Sequence, residues 1–100
     1  MAIWLVTRHQ GAFEWLQQQG IVADHIVSHL EVTALATGDS VIGILPFHLA
    51  AYVCERGGRF WSLDVVVPAQ WRGHELSADQ LTALGACLTE YRVQKIVAKT

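Results

Sequence analysis

The chain has 100 residues, of which 52% are hydrophobic and 16% are charged. This length and composition predict one compact domain with a substantial core, exclude a two-domain enzyme and give no sign of disorder. The formal net charge is -2, so the chain lacks the basic excess that is typical of proteins that bind long DNA or RNA.

The first part of the chain predicts strands that alternate with a helix. Residues 3–6 form an unbroken apolar segment, which is typical of a central strand covered on both faces. A helix is predicted over residues 11–19, because apolar residues recur on one side and Gly20 supplies a left-handed stop. Residues 31–37 are ambiguous. Two further strands are predicted, at residues 25–30 and 41–45.

The second part continues the alternation. Pro46 occupies the position of a first helical residue, and the apolar spacing after it predicts a core-facing helix that stops at Gly57. A fourth strand is predicted over residues 59–67, and Ser77 with Gln80 matches a capping box that starts a third helix. The predicted apolar faces are Pro46, Leu49, Ala50, Val53 and Cys54 in the second helix, Trp61, Leu63, Val65 and Val67 in the fourth strand, and Leu81, Leu84, Gly85 and Leu88 in the third helix.

A short closing strand over residues 93–98 completes the predicted sheet, at its edge because lysines interrupt the segment. Strands that alternate with helices favour right-handed βαβ crossovers. The sequence therefore predicts a single Rossmann-like α/β domain over residues 1–100. Its sheet should be mostly parallel, with about five strands and with helices on both faces.

Membrane and disulfide signals are absent from the sequence. No apolar run approaches the roughly 20 residues of a membrane span, and no basic leader precedes the first strand, which predicts a cytoplasmic protein. Cys54 and Cys87 lie in helical patterns without CxxC spacing, so we expect two buried, reduced thiols.

Polar side chains gather in three loops that the pattern assigns to one edge of the sheet. Ligands of open α/β sheets bind beyond the carboxyl ends of the strands, where helix amino termini also point. The loops are residues 7–11, 45–48 and 70–75, and they hold two of the five arginines and three of the five histidines. In the last loop, Arg72 and Glu75 fit either an ion pair that fixes the loop or a contact with substrate.

This edge is suited to phosphate. Free backbone N–H groups and helix dipoles at the first two helix starts favour an anion, and Arg8 and Arg72 can form bidentate pairs with phosphate oxygens. Gly11 permits close approach of the backbone to a ligand. Neither a GxGxxG fingerprint nor a P-loop is present, which argues against ordinary NAD and ATP binding. A smaller or differently shaped phosphodiester is therefore the expected ligand.

Several of these residues also have plainer interpretations. Arg8 can pair with a carboxylate at the sheet edge, His9 can be a solvated loop residue and His48 can simply be exposed. Trp71 fits base stacking, a hydrophobic lid or a contact between subunits. The sequence alone leaves these alternatives open.

Metal and nucleophile chemistry have little support in the sequence. His25 and His29 are spaced i, i+4, but on a strand they would need a third ligand from across the sheet, and no HExxH motif or Cys/His cluster occurs. No GxSxG elbow is present, and the two cysteines are expected to be buried. We therefore expect neither a metal nor another cofactor.

Short segments that run nearly end to end match the pattern of one protein family. They are Ile3-Trp4-Leu5-Val6-Thr7-Arg8-His9, Gly11-Ala12, Glu14-Trp15-Leu16, Gly38-Asp39, Val41-Ile42-Gly43, Leu45-Pro46, Leu49-Ala50-Ala51, Val53-Cys54, Arg56-Gly57, Arg72-Gly73 and Glu75-Leu76-Ser77. Through them the chain resembles the small CRISPR-associated proteins that are encoded beside type III interference systems and are grouped with ring nucleases.

The resemblance implies a stand-alone, CARF-like Rossmann domain that acts as a homodimer. It implies binding of cyclic tetra-adenylate, the second messenger made when a type III complex detects foreign RNA. Similar proteins cleave this ring without metal, by attack of a ribose 2′-hydroxyl on the neighbouring phosphodiester, and leave linear products with a 2′,3′-cyclic phosphate. Degradation of the messenger switches the immune response off.

Residue roles follow from the same resemblance together with the loop pattern. Arg8 is expected to meet phosphate charge, and His9 to transfer a proton or position the substrate. A ligand with two-fold symmetry suits a two-fold dimer, because each subunit presents the same loops to half of the ring. The remaining candidates are Thr7 and Gly11, which would line the cradle, and Pro46, His48, Trp71, Arg72 and Glu75, which would hold or cover the ring.

Two other functions remain open at this stage. A binding module could sequester the cyclic nucleotide without cutting it, because a cradle that misaligns the 2′-hydroxyl contains the same residues. A structural subunit or adaptor would bind no nucleotide at all.

Overall fold

The sheet has five strands, four of them parallel. The computed structural model describes residues 1–97. Its strands are β1 (Ile3–Val6), β2 (His25–Val27), β3 (Ser40–Gly43), β4 (Arg59–Asp64) and β5 (Cys87–Tyr91), in the order β2-β1-β3-β4-β5. β2 and β3 flank β1 in parallel, β4 is parallel to β3, and β5 is antiparallel to β4. The predicted mostly parallel, Rossmann-like α/β architecture is confirmed.

Helices cover both faces of this sheet. One core cluster includes Leu16 and Leu81, which belong to different helices on the same face. The other cluster places Val53 against the opposite face. Val41 and Ile42 of β3 enter different clusters, as expected because successive strand side chains point to opposite faces. Among the residues described, no helix is long and apolar enough to cross a membrane. The helices are α1 (Gln10–Gln18), α2 (Phe47–Glu55) and α3 (Ala78–Ala83).

The predicted capping box at the start of α3 is present. The Ser77 hydroxyl accepts a hydrogen bond from the Gln80 backbone N–H at 3.1 Å, and the Gln80 side-chain oxygen accepts one from the Ser77 backbone N–H at 2.9 Å. These bonds satisfy two N–H groups that a helix start otherwise leaves without partners. They also fix the direction in which the preceding loop enters the helix.

The predicted third helix is too long. α3 ends at Ala83, and Gly85 adopts a left-handed φ of 78°. The Ala86 backbone N–H donates to the Leu81 carbonyl at 3.0 Å across this turn. The predicted helical stripe therefore stops before Gly85, and Leu88 lies in β5 instead.

The predicted closing strand is also misplaced. The edge strand is β5, whereas residues 93–97 have no regular structure and residue 98 lies outside the described residues. β4 ends at Asp64 rather than at residue 67. The Asp64 carboxylate accepts hydrogen bonds from the Ser62 and Tyr91 hydroxyls, at 2.6 and 2.8 Å, which lower its pKa in that order of importance. The bond from Tyr91 ties the end of β5 to β4.

Other boundaries and the cysteines differ in detail. β2 ends at Val27, three residues earlier than predicted, and the ambiguous segment holds a single 3-10 turn, Val32–Ala34. Cys54 is half-buried in α2. The expectation of a buried helical thiol is wrong for Cys87, which is exposed at the start of β5.

A buried carboxylate joins strands at the amino ends of the sheet. Asp39 is only 4% exposed. It accepts hydrogen bonds from the backbone N–H groups of Ala2 and Ala36, both at 2.9 Å, and from the Trp4 indole at 3.1 Å. These bonds, that from Ala2 above all, lower the pKa of the Asp39 carboxyl. The carboxylate thus anchors the edge opposite to the carboxyl ends of the parallel strands.

Candidate functional site

A cavity of about 440 Å³ lies at the carboxyl ends of the parallel strands. Apolar side chains from the strands and helices form most of its wall, including Leu5, Leu63, Leu76 and Leu81. Its polar lining comes from the loops that follow the strands. These polar residues are Thr7, Arg8, His9, Ser28 and His74. The structure therefore brings three of the predicted site residues together in one hollow.

Arg8 follows β1 and is exposed at this cavity. Its Nη2 lies 3.1 Å from Nε2 of His29, in the loop after the neighbouring strand β2. Because a guanidinium only donates hydrogen bonds, Nε2 accepts in this contact and the His29 ring proton is on Nδ1. Within residues 1–97, Arg8 meets no carboxylate, so the alternative of an ion pair at the sheet edge is not what this part of the chain shows.

His9 is held by two contacts at the start of α1. Its backbone N–H donates to the Thr7 hydroxyl at 3.0 Å. Its ring Nδ1 lies 3.0 and 2.9 Å from the two carboxylate oxygens of Glu75. The carboxylate can only accept, so Nδ1 carries a proton and donates it into this contact. Both side chains are well exposed, 64% for His9 and 63% for Glu75.

Gly11 has a packing role that the loop pattern did not reveal. It is buried, and a Cβ at this position would lie 1.9 Å from the carbonyl oxygen of Leu76. The glycine therefore lets the start of α1 touch the segment before α3. Gly11 does not line the cavity. The expected close approach of a ligand to Gly11 does not apply, because the backbone of Leu76 occupies that space.

Two predicted residues of the second loop, Pro46 and His48, do not line the cavity that Arg8 and His9 line. Pro46 precedes the first residue of α2 as its N-cap rather than starting the helix, and it is exposed. His48 lines a second hollow of about 440 Å³, which it shares with Phe47, Tyr52 and other residues. The structure thus does not bring His48 into the cavity at the strand ends.

Trp71 and Arg72 belong to the long loop between β4 and α3. Trp71 is half-buried in a 3-10 turn, Ala69–Trp71. The Arg72 Nε donates to the Val67 carbonyl at 3.3 Å. Arg72 thus supports its own loop through the backbone. Of the two alternatives left open for Arg72 and Glu75, the ion pair between them is not formed, since Glu75 contacts His9. Neither Trp71 nor Arg72 lines the cavity.

Three polar residues of the site were not among the predicted site residues: Ser28, His29 and His74, of which His74 lies in the predicted third loop. Ser28 lines the cavity and His29 contacts Arg8, and both directly follow the last residue of β2. The rule that ligands bind beyond strand carboxyl ends would have found them. They were missed because the predicted second strand ran on to residue 30 and placed both within the sheet.

Another cavity, about 790 Å³ in volume, lies beside the start of β4 and the end of β5. Its Arg59 is paired with Glu90, through Nε and Nη2 at 2.7 and 2.9 Å. A hydrogen bond and charge attraction from Glu90 raise the pKa of Arg59. Arg92 also lines this cavity, but Glu55 and Glu90 balance the charge of the two arginines. The described lining of the cavity at the strand ends holds Arg8 and no carboxylate, so that cavity is the better match for an anion. Nowhere in residues 1–97 do three or more His, Cys, Asp or Glu side chains cluster as metal ligands.

Comparison with known proteins assigns the chain to a family. Neither the search of curated proteins nor the search of solved structures gave a match. One family model does match, over residues 4–94, and its description is "Putative CRISPR-associated protein (Cas_VVA1548)". The match begins within β1, at residue 4, and covers the other four strands and the loops that carry Arg8, His9 and Glu75. The chain belongs to this CRISPR-associated family.

Proposed function

We propose that this protein is a metal-independent ring nuclease that degrades cyclic tetra-adenylate. In this proposal the products are linear and end in a 2′,3′-cyclic phosphate, and their formation switches type III CRISPR immunity off. The observation that carries the proposal is that Arg8 and His9 lie side by side on a largely apolar cavity at the strand carboxyl ends. Membership of a CRISPR-associated family supports the biological setting.

The lining of the cavity matches the two chemical parts of an adenine nucleotide. Apolar walls suit the faces of a base or a ribose, whereas the charged rim suits phosphate. Arg8 supplies a fork of donors that fits two phosphate oxygens. α1 has nine residues and no side-chain cap, so its dipole and first N–H groups add to the attraction for an anion.

A homodimer is part of this proposal, with cyclic tetra-adenylate as the shared ligand. Three apolar side chains lie in segments next to the cavity and are strongly exposed: Ile44 by 71%, Phe47 by 84% and Val66 by 84%. A second copy that covers these side chains would remove apolar surface from water and present a second Arg8 and His9 to the ring. Each subunit would then hold half of a symmetric ligand.

Little side-chain chemistry is required for this reaction. Holding the 2′-oxygen, the phosphorus and the 5′-oxygen in line lowers the barrier, because the entropy of orienting these atoms is lost on binding and not in the transition state. Arg8 stabilises negative charge on the phosphorane, and the amino end of α1 contributes in the same sense. His9 transfers the proton. No step of this scheme requires a metal ion.

The test is a cleavage assay with the full chain, labelled cyclic tetra-adenylate and EDTA. Turnover of more than one ring per dimer, with a 2′,3′-cyclic phosphate on the product, supports the proposal. Tight binding of a ring that stays intact identifies a sponge instead. Neither binding nor cleavage identifies a structural subunit or adaptor, and refutes both nucleotide functions.

Replacing Arg8 tests the contact with phosphate. Arg8→Ala should weaken binding of cyclic tetra-adenylate by about 1–3 kcal/mol, the range for a lost hydrogen bond to a charged group. Isothermal titration or a filter-binding assay measures this change. The matched control is Arg92→Ala, since Arg92 is an exposed arginine that lines the cavity beside β5. Equal affinities for Arg8→Ala and the unmodified chain would remove Arg8 from the site.

A further inference from the structure

We infer that Glu75 is a positioning residue, which fixes the tautomer of His9 so that Nε2 is free to act as the general base. This inference rests on the proposed function and deepens it. The family resemblance implies that Glu75 holds or covers the ring. The structure pairs it instead with the residue expected to move the proton.

The geometry of the pair favours this role. Both carboxylate oxygens lie within hydrogen-bond distance of the same ring nitrogen, at 3.0 and 2.9 Å. A carboxylate in this position holds the proton on Nδ1, which leaves the lone pair on Nε2. The backbone of His9 is held separately by Thr7 at 3.0 Å. Both the place and the orientation of the ring are thereby constrained.

Glu75 reaches His9 because two neighbouring contacts fix its segment. Its next neighbour, Leu76, presses its carbonyl against the position where Gly11 lacks a Cβ. One residue further on, Ser77 begins the capping box with Gln80. A loop residue that is 66 positions from His9 in the chain is therefore held at one end of α1. This supporting structure indicates a built contact rather than a chance meeting of two surface side chains.

Each proton in the proposed step has a donor and an acceptor. Nε2 of His9 takes the proton of the ribose 2′-hydroxyl as the bond from the 2′-oxygen to phosphorus forms. The bond from phosphorus to the 5′-oxygen breaks, and the leaving oxygen takes a proton from solvent. The imidazolium then returns its proton to solvent. The products are a 2′,3′-cyclic phosphate and a 5′-hydroxyl, and Glu75 exchanges no proton with the substrate.

The first experiment measures the His9 tautomer in the free protein. Imidazole ¹⁵N shifts are recorded at about pH 8.5, where an ordinary histidine is neutral. We expect Nδ1–H in the unmodified chain and in Glu75→Gln, whose amide oxygen can still accept, and a shift toward Nε2–H in Glu75→Ala. Glu14→Gln, an exposed change on the same helix, is the control. Two results would overturn the inference: an Nε2–H tautomer in the unmodified chain, or the same Nδ1–H tautomer in Glu75→Ala as in the unmodified chain.

The second experiment separates this role from binding. Glu75→Ala should lower kcat about 10-fold to 100-fold, part of the roughly 100-fold or more that a general base contributes. The KM for cyclic tetra-adenylate should change little, and Glu75→Gln should recover part of kcat. A rise in KM alone makes Glu75 a binding residue, and an unchanged kcat refutes the positioning role. Failure of the unmodified chain to cleave would instead refute the proposed function, whatever the tautomer.

Discussion

Gly11→Ala should destabilise the fold, although alanine is the better helix former. The added Cβ would lie 1.9 Å from the Leu76 carbonyl oxygen, and real Cβ contacts essentially never fall below 3.0 Å. The start of α1 and the segment before α3 would therefore have to separate by at least about 1 Å. Overpacking of this kind costs about 1–3 kcal/mol, and the upper part of that range applies because the atom met is backbone. The gain in helix propensity returns at most about 1 kcal/mol.

The net loss is therefore about 1–2 kcal/mol, and thermal unfolding can detect it. In a domain of about this size, 1 kcal/mol shifts the melting temperature by about 4–8 °C. Circular dichroism should thus show Gly11→Ala melting about 4–16 °C below the unmodified chain. Gln17→Ala is the control, because Gln17 is exposed on the same helix and should change stability by less than about 0.5 kcal/mol.

One outcome would refute this reasoning. If Gly11→Ala melts at or above the temperature of the unmodified chain, while Gln17→Ala is neutral, the close contact between α1 and Leu76 does not exist in solution. Of the two contacts that hold the segment of Glu75, only the capping box of Ser77 and Gln80 would then remain.

Three further predictions concern the core, the buried carboxylate and the exposed apolar surface. Leu16→Ala should cost about 2–5 kcal/mol in urea unfolding, because Leu16 is 2% exposed, whereas the control Val22→Ala, at an 80% exposed position, should cost almost nothing. The pKa of Asp39 is lowered in the folded state, so its contribution to the free energy of unfolding is present above its unfolded-state pKa and is lost as the pH falls through the folded-state pKa. The difference in urea midpoint between the unmodified chain and Asp39→Asn should therefore become smaller on acidification. A difference that stays constant with pH would contradict this. Phe47→Glu should convert the proposed homodimer into a monomer, as measured by light scattering, and a dimer that survives the substitution would exclude this surface as the interface.

The alternation of strands and helices could be predicted because it depends on local spacing. The apolar run at residues 3–6 and the capping pair Ser77 and Gln80 need no distant partner to be recognised. The region after α3 could not be predicted in the same way. α3 is a short helix, and a turn at Gly85 and a strand follow it. The apolar residues of these three elements have the same spacing in the sequence as those of one longer helix.

The candidate site was predictable to the extent that strand ends determine it. Arg8 and His9 follow a buried parallel strand, so their place at the carboxyl edge follows from topology. The contact partners of Arg8 and His9 depend on where a strand ends and on the path of a long loop, and local sequence spacing predicts neither. His29 meets Arg8 because β2 stops early, and Glu75 meets His9 because a long loop adopts one particular path.

The distance along the chain between His9 and Glu75 has a consequence for biosynthesis. A nascent chain that has emerged from the ribosome only as far as β4 already contains Arg8 and His9 but lacks Glu75, which contacts the imidazole in the folded chain. The antiparallel edge strand and α3 come later still. Translation products that stop before Glu75 therefore carry Arg8 and His9 without the carboxylate partner of His9, and in the proposed mechanism they should lack the oriented base.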